Sequence, residues 1–287
     1  MNLLGTGLSG LVGSRIVELL SSEFHFEDLS LDTGVDITDK DIVNERIVAS
    51  NAPWLIHFAA KTDVEGAEKE RIFGEKSSAW RVNVTATRHI VEACKRANKR
   101  LLYISTDYVF DGTKDVYRED DIPNPQGWYA VTKYEGEKLV ASLGEYGLII
   151  RIANPYRAIF PAKPDFVAKI RTMLEEGRSM FSPDDQIFVP TFIDDIARAV
   201  KKLIVEYASG VYHVVGSTAL TPYEAATLIA RTFGFDESRI IATSFQKYFH
   251  GRAPRPFRAA LKNDKISKFG VRMSTFAEGL AEVKKQL

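Results

Sequence analysis

Cysteine is almost absent from this 287-residue chain, in which Cys94 is the only one. A single cysteine cannot form an internal disulfide, so nothing in the sequence points to an oxidising compartment. It also excludes a zinc or iron–sulfur site built from several cysteines. The five histidines are scattered, and no two of them lie at a spacing typical of metal ligands. We therefore predict no metal site.

An excess of charge of one sign is lacking as well, because 38 lysine and arginine residues balance 38 aspartate and glutamate residues. This balance gives no support to a nucleic-acid partner or to a polybasic membrane-binding surface. No uninterrupted apolar run reaches the roughly 18 residues of a membrane span. Residues 1–20 contain four glycines and two charged residues and lack a basic start, so they do not follow the signal-peptide pattern. We expect a cytoplasmic protein without nucleic-acid or membrane partners.

What the chain does have is an alternation of short apolar runs with helical patterns, which predicts an α/β protein with a doubly wound, Rossmann-type parallel sheet. Predicted strands are residues 2–4, 54–59, 101–105, 148–152, 210–215 and 239–243, and predicted helices are residues 11–20, 82–97, 129–142, 166–176, 194–207 and 222–233. A proline-rich stretch at 154–164 suggests a junction. We predict a dinucleotide-binding domain at 1–155 and a smaller α/β substrate lobe at 156–287, with the return of residues 187–207 to the first lobe as an alternative.

A glycine cluster follows the first predicted strand and opens the first helix. Gly5-Thr-Gly7-Leu-Ser-Gly10-Leu-Val-Gly13 contains both GxGxxG and GxxGxxG. Glycines allow a tight turn and close approach of a pyrophosphate, which then lies at the helix N-terminus. The alternative is a turn that only packs helix on strand. The predicted cofactor ligands in this loop are Gly7, Ser9, Gly10, Leu11, Val12 and Gly13.

Asp32 ends a plausible second strand, at the distance from the glycines where a carboxylate accepts hydrogen bonds from the adenosine ribose. Such a carboxylate repels a 2′-phosphate, which favours NAD over NADP; both cofactors stay open at this point.

Two Tyr-x-x-x-Lys pairs lie on the third predicted helix, Tyr129 with Lys133 and Tyr134 with Lys138. The two tyrosines are five positions apart, so they project about 140° apart and cannot both face one site. A lysine ammonium near a phenol stabilises the phenolate, and the tyrosine can then exchange a proton during hydride transfer. For the second pair, a solvated helix face is the better interpretation.

Ser105 and Thr106 end a buried predicted strand, and ligands of open α/β sheets bind outside the carboxyl ends of strands. These hydroxyls could therefore bind a substrate carbonyl; the alternative is a local cap of the strand end.

The order of these motifs resembles the extended short-chain dehydrogenase/reductase family. The segments Ser105-Thr-Asp-Tyr-Val-Phe-Asp-Gly112 and Pro125-x-x-x-Tyr129-x-x-x-Lys133-x-x-Gly136-Glu137 are similar to the signature of the dTDP-4-dehydrorhamnose reductase group. The resemblance implies a catalytic triad of Thr106, Tyr129 and Lys133, with Tyr129 as proton donor and Lys133 holding the nicotinamide ribose.

The resemblance also implies further ligands. On the cofactor side these are Asp36, Ile37, Ala59, Ala60 and Asn83, the last of which the wider family places behind the active site. On the substrate side the resemblance implies Thr62 and Val64, and the predicted substrate ligands also include Ser105, Asp107, Asn154 and Arg255. A nucleotide-sugar substrate and a homodimer are implied too. Arg255 lies with Arg252 and Arg258 in an irregular stretch that could grip a diphosphate or form a solvated basic loop.

Three functional hypotheses remain at this stage. The first is an NAD(P)H-dependent reductase of a nucleotide-activated 4-keto sugar. The second is a sugar-nucleotide epimerase, because Asn154-Pro-Tyr156 resembles the epimerase Asn-x-Tyr and stands where the reductase group usually carries a tryptophan. The third is a non-catalytic dinucleotide-binding subunit, since the regulatory subunit of methionine adenosyltransferase resembles the same group.

Overall fold

The computed structural model describes residues 1–159 and 162–287. Pro161, in the predicted junction, therefore lies outside the described residues. Six parallel strands form the central sheet in the order β2-β1-β3-β4-β5-β9. They are β1 (Asn2–Thr6), β2 (His25–Leu29), β3 (Trp54–His57), β4 (Arg100–Thr106), β5 (Gly147–Ile152) and β9 (Gly210–His213). This confirms the predicted Rossmann-type parallel sheet.

Helices cover both faces of the sheet. The longer ones are α1 (Leu11–Leu20), α2 (Lys40–Ala49), α5 (Ala86–Arg96), α6 (Trp128–Ala141) and α8 (Ile193–Val205). Helices α1 and α8 pack on one face, in a cluster around Leu3, Ile56 and Ile150. Helices α2, α5 and α6 pack on the other, around Leu4 and Leu101. Because the inner strands β1, β3, β4 and β5 are largely buried on both sides, they are rich in apolar residues, whereas the edge strand β2 is only partly buried.

A second layer of short elements follows β5. It comprises β6 (Pro155–Tyr156), α7 (Phe166–Glu175), β7 (Met180–Pro183), β8 (Thr191–Phe192), α9 (Pro222–Phe233), β10 (Ile240–Thr243), α10 (Phe245–Tyr248), α11 (Asp264–Lys268) and α12 (Phe276–Gln286). Strands β7 and β10 pair with each other, as do β6 and β8. The division into lobes at residue 155 stays a prediction, but the central sheet takes strand β9 from beyond that point, and α8 packs against α1.

Several predicted bounds shift. The strand predicted at 54–59 ends at His57. The helix predicted at 82–97 begins earlier, as α4 (Ser78–Trp80), continues through one π-helical turn (Arg81–Thr85) and then runs into α5. A short helix, α3 (Val64–Lys69), precedes it. Among residues 1–159 and 162–287, no helix combines the length and apolar character needed to cross a bilayer.

Candidate active site

The glycine loop between β1 and α1 requires glycine at two positions. Gly7 has φ +66°, and a Cβ there would lie 2.5 Å from the backbone nitrogen of Ala59, which follows β3. A Cβ on Gly13 would lie 2.4 Å from the Gly7 carbonyl oxygen. The loop thus lies directly against the segment after β3. In the described chain no side chain caps α1, whose N-cap is Gly10, so the N–H groups of its first turn are free to bind an anion.

A cavity of about 480 Å³ opens at the carboxyl ends of the central strands, where the strand order reverses between β1 and β3. The structure brings together here most residues predicted from the sequence: Gly7, Ser9, Gly10, Leu11, Val12, Gly13, Ala59, Ala60, Thr62, Val64, Ser105, Thr106, Asp107, Tyr129, Lys133 and Asn154. The cavity therefore runs from the glycine loop to the predicted catalytic triad. Their individual roles stay predictions.

Thr106 and Tyr129 meet because β4 ends at Thr106 and α6 begins at Trp128. The Thr106 hydroxyl donates to Asp107 Oδ1 at 3.0 Å. Burial raises the pKa of the Asp107 carboxyl to about 7. The pKa of the Tyr129 phenol is raised, first by desolvation and second by the charge of Asp107, while a hydrogen bond with Thr106 opposes the rise. Tyr129 is consequently protonated at neutral pH and able to donate a proton.

Lys133 lies one helical turn beyond Tyr129 and is only 3% exposed. Burial lowers the pKa of its ammonium to about 7, and the negative charge of Glu137 opposes this. Tyr134, the competing tyrosine, packs against a different cluster that includes Val109 and Phe110, and it does not line the cavity described above. Lys138 pairs with Glu135 on the exposed helix face. The structure therefore favours the Tyr129 pair over the Tyr134 pair.

A buried chain of hydrogen bonds supports the site from behind. Thr6 Oγ1 lies 2.6 Å from His57 Nδ1, and His57 Nε2 lies 3.0 Å from Thr87 Oγ1. The Thr87 hydroxyl donates to the Asn83 carbonyl, so it accepts from Nε2–H, and Nδ1 accepts from Thr6. Burial lowers the pKa of His57 to about 3, which keeps it neutral. The network ties β1, β3 and α5 together beneath the cavity.

Asn83, predicted on the cofactor side as a residue behind the active site, lies behind the cavity and not in its wall. Its Oδ1 accepts from the Lys61 backbone N–H at 2.8 Å, and its Nδ2 donates to the Lys61 carbonyl and to Thr132 Oγ1. These bonds hold the segment after β3 against helix α6.

The prediction that Asp32 ends the second strand is wrong. Strand β2 stops at Leu29, because Ser30 and Thr33 form a capping box that starts a 3₁₀ turn (Leu31–Thr33). Asp32 lies exposed in that turn. The carboxylate at the strand end is Asp28, whose Oδ2 accepts from Ser30 at 2.6 Å. Its Oδ1 is buried with no hydrogen-bond partner among the described residues.

Asp36 and Ile37 follow the same turn and do not line the cavity. The Asp36 carboxylate binds the backbone and hydroxyl of Thr38, and these hydrogen bonds lower its pKa. Ile37 packs against the core cluster under α2 and α5.

Ser105 does line the cavity, and its hydroxyl oxygen is buried without a partner among the described residues.

The three arginines of residues 252–258 do not converge on one site. Arg255 Nη2 bonds Glu65 Oε1 at 2.6 Å, and the ion pair links α3 to the irregular segment after α10. Arg252 lies over the rings of Tyr248 and Phe249, and Arg258 pairs with an aspartate. Arg255 also interacts with Tyr108, which lines the cavity. Arg255 itself does not line the cavity, and Tyr108 lies between it and the predicted substrate site.

A second cavity of about 290 Å³ adjoins the first and shares Asp107, Tyr108 and Asn154 with it. Its remaining walls are largely aromatic and aliphatic: Phe166, Ile170, Met173, Met180, Ile187, Phe188, Tyr248 and Phe249, with the polar Lys169, Ser182 and Gln186. No motif in the sequence predicts this cavity. Its walls come from separate segments, and no short motif joins them; only the apolar face of the predicted helix at 166–176 signals it.

The epimerase-like Asn154-Pro-Tyr156 motif divides between two places. Asn154 has φ +41°, a strained value for a residue other than glycine, and lies where the two cavities meet. Tyr156 is 1% exposed and packs among Phe166, Phe192 and Phe276 in the second layer. Because Tyr156 belongs to the core, the structure does not favour the epimerase interpretation.

Comparisons with known proteins agree over the whole chain. Residues 1–287 match the family described as RmlD substrate binding domain. The dTDP-4-dehydrorhamnose reductase of Aggregatibacter actinomycetemcomitans is 32% identical, with 98% of each chain covered. Subunit beta of Xenopus tropicalis methionine adenosyltransferase 2 is 26% identical, covering 96% of this chain and 85% of that protein.

Among solved structures, the Bacillus anthracis dTDP-4-dehydrorhamnose reductase in complex with NADP superposes with a TM-score of 0.90 at 27% identity, covering 100% of this chain and 99% of that one. The resemblance stated from the sequence is thereby confirmed, and the chain belongs to the RmlD substrate binding domain family of extended short-chain dehydrogenase/reductases.

Proposed function

We propose that this protein is an NAD(P)H-dependent reductase of a nucleotide-linked 4-keto sugar, with dTDP-4-dehydrorhamnose as the first substrate to test. The observation that carries the proposal is the continuity of the two cavities at Asp107, Tyr108 and Asn154. A dinucleotide on the glycine loop and a sugar nucleotide in the second cavity would meet beside Thr106 and Tyr129. The names of the relatives supply the substrate class.

The residues present fit a dinucleotide. Gly7 and Gly13 leave no Cβ between the loop and the strand ends, and the first turn of α1 offers free donors. Asp28 does not line the cavity, but at the end of β2 it has one buried carboxylate oxygen without a partner among the described residues. A bound NADH or NADPH supplies the hydride. The chain's own side chains would donate the proton, orient the carbonyl oxygen and bind the ribose.

In the proposed reaction Tyr129 donates its phenolic proton to the carbonyl oxygen as the keto carbon is reduced. The raised pKa of Tyr129 suits this direction, because the group enters the reaction protonated. Thr106 orients the carbonyl oxygen by donating its single hydroxyl proton to it, in place of the hydrogen bond that this proton otherwise makes with Asp107 Oδ1. The ammonium of Lys133, in the same wall, binds the ribose and favours the phenolate that remains.

The second cavity suits the nucleotide. Aromatic side chains such as Phe166, Tyr248 and Phe249 offer surfaces for a nucleobase, and Lys169 offers a cation for a diphosphate. The polar groups where the cavities join, Asp107 and Asn154, face the position of the sugar. This arrangement supports a sugar nucleotide over a free sugar.

We further propose NADH as the preferred cofactor. From His25 to Asp39 the chain has no lysine or arginine, whereas Asp28, Asp32 and Asp36 lie in or just after β2. A carboxylate at the strand end binds ribose hydroxyls and repels a 2′-phosphate. The Bacillus anthracis relative holds NADP, so the preference has to be measured for this chain.

The test is to follow cofactor absorbance with dTDP-4-dehydrorhamnose and a panel of other nucleotide-linked 4-keto sugars, using NADH and NADPH in parallel. Oxidation of cofactor with at least one of them is expected, faster with NADH. If no sugar in the panel supports oxidation, the reductase proposal fails. A higher kcat/KM with NADPH would overturn the cofactor preference alone. The predicted homodimer is checked separately by light scattering.

The alternative of a purely binding subunit rests on the relative in Xenopus tropicalis. The presence of Thr106, Tyr129 and Lys133 together in one cavity wall favours catalysis over binding alone.

A further inference from the structure

We propose that Tyr103 is a positioning residue for Lys133, and that the face of its aromatic ring holds the lysine ammonium in place in its charged form. The inference rests on the proposed function only in so far as Lys133 belongs to the catalytic wall. Strand β4 would then contribute a third residue to the site, Tyr103, in addition to Ser105 and Thr106 at the end of the strand.

The geometry of the contact is direct. Lys133 Nζ lies 3.9 Å from the centroid of the Tyr103 ring. Tyr103 is fully buried, and Lys133 is 3% exposed. Among the described residues, none forms a hydrogen bond or ion pair with Nζ, and the Tyr103 ring is the group that the structure places against the ammonium.

The nearest charged groups do not take this role. Glu137, one turn beyond Lys133, gives both carboxylate oxygens to Arg151, at 2.9 Å and 2.7 Å. His57, from β3, is neutral, because burial first and the charge of Lys133 second lower its pKa to about 3. An ammonium placed here is therefore held by neither an unpaired carboxylate nor an imidazole.

Three further titratable groups near α6 lie on its cavity side or at its start. Asp107 and Tyr129 belong to the cavity wall, and Glu68 from α3 accepts the Trp128 backbone N–H at 2.7 Å. None of these three shifts the pKa of Lys133, whose causes are burial and Glu137.

The sequence makes room for this contact. A Cβ on Gly136 would lie 2.2 Å from the Tyr103 hydroxyl oxygen, so glycine at this position lets the tyrosine lie beneath helix α6. The Tyr103 hydroxyl donates to the Lys133 carbonyl at 3.4 Å, which fixes the ring relative to the helix backbone. Gly136, part of the motif that first suggested the family, thereby gains a local explanation.

The ring offsets part of the cost of burying the charge. Burial alone favours the neutral amine and lowers the pKa of Lys133 to about 7. The negative face of an aromatic ring attracts an ammonium, most strongly when both are shielded from water. A ring with a less negative face should therefore lower the fraction of Lys133 that is charged at neutral pH.

The experiment follows the ¹³Cε resonance of Lys133 by NMR during a pH titration of the substrate-free protein, with Lys133→Met identifying the signal. Tyr103→Phe keeps the ring and removes the hydroxyl, whereas pentafluorophenylalanine at position 103 keeps the shape and reverses the charge of the ring face. We expect a midpoint near the original in Tyr103→Phe and a midpoint about one pH unit lower with the fluorinated ring. NADH affinity, measured by fluorescence at pH 7, should fall in parallel with the charged fraction.

Equal titration midpoints of Lys133 in Tyr103→Phe and in the fluorinated protein would overturn the proposal. An NADH affinity that falls as far in Tyr103→Phe as in the fluorinated protein would overturn it too. Tyr103→Met provides a second variant if the fluorinated protein folds poorly; a midpoint that is unchanged or raised there also contradicts the proposal. Tyr134→Met is the matched control, since Lys138 lies 5.3 Å from the Tyr134 ring on the exposed face. The titration needs no sugar, so its result is independent of the reductase assay.

Discussion

Glu137 and Arg151 form a bidentate ion pair in which each side chain is only 4% exposed. The pair joins the helix that carries Tyr129 and Lys133 to strand β5. On its other side Arg151 Nη1 lies 3.4 Å from His213 Nε2 on β9. Burial, aided by the charge of Arg151, lowers the pKa of His213 to about 3, so the histidine is neutral beside the guanidinium.

Removal of Glu137 should strongly destabilise the protein, because Arg151 would remain buried without a counter-charge. We expect Glu137→Ala to lose about 3–5 kcal/mol in unfolding free energy, measured by urea denaturation. The control is Glu176→Ala, which breaks an exposed pair with Arg178 and should cost less than about 1 kcal/mol. Equal losses in the two variants would contradict a special role for the buried pair.

Tyr129→Phe removes the hydroxyl of the proposed proton donor and keeps its aromatic ring in the cavity wall. We expect kcat to fall by about 10²–10⁴-fold, while the Kd for NADH in a fluorescence titration stays unchanged. Tyr134→Phe, on the same helix, should keep full activity. A fully active Tyr129→Phe enzyme would remove Tyr129 from the mechanism.

Asp107 makes stability depend on pH. Its folded-state pKa of about 7 lies above the ordinary value of 3.8, so the protonated carboxyl stabilises the fold at low pH, and this contribution is lost as the pH rises toward 7. Asp107→Asn has no carboxyl to titrate, so its stability does not fall in this way. Between pH 5 and pH 8 its unfolding free energy should therefore rise by about 2–3 kcal/mol relative to that of the original protein. Denaturation of both proteins at the two pH values tests this, since the pH dependence of Lys133 is common to both. A constant difference would show that Asp107 titrates normally.

Asp28, rather than Asp32, should determine cofactor binding. Loss of a charged hydrogen-bond acceptor for the ribose predicts that Asp28→Asn weakens NADH binding by about tenfold or more. Asp32→Asn, in the exposed turn, is the matched control and should bind NADH as before. If only Asp32→Asn weakens binding, the assignment of the ribose carboxylate to Asp28 is wrong.

The sequence predicts the fold well where local signals are strong. Helices α1 and α9 have the predicted bounds, since Gly10 precedes the first and a Thr221–Glu224 capping box begins the second. The glycine loop, Ser105, Thr106 and the Tyr129–Lys133 pair were predictable from short motifs at the ends of strands and helices. Other cavity residues, such as Thr62 and Val64, followed only from the resemblance to the family. Asp28 was missed because the 3₁₀ turn after β2, which moves Asp32 away from the strand, depends on a pair of side-chain hydrogen bonds.

The second cavity could not be predicted for a different reason. Its walls come from α7, β7, α9 and α10, which meet only through tertiary packing. Each segment reads by itself as an ordinary amphipathic element. Similarly, the contact between Tyr103 and Lys133 depends on how α6 lies across β4, which no periodicity reveals.

Strand β9 supplies the last neighbour of β5 in the central sheet. A fragment that stopped at residue 155 would leave β5, with six residues buried in the whole protein, as an open edge of unpaired backbone groups. Open apolar edges of this kind recruit other strands, so such a fragment would be prone to aggregate. The first five strands of the sheet therefore depend on a strand from a distant part of the same chain to cover the edge of β5.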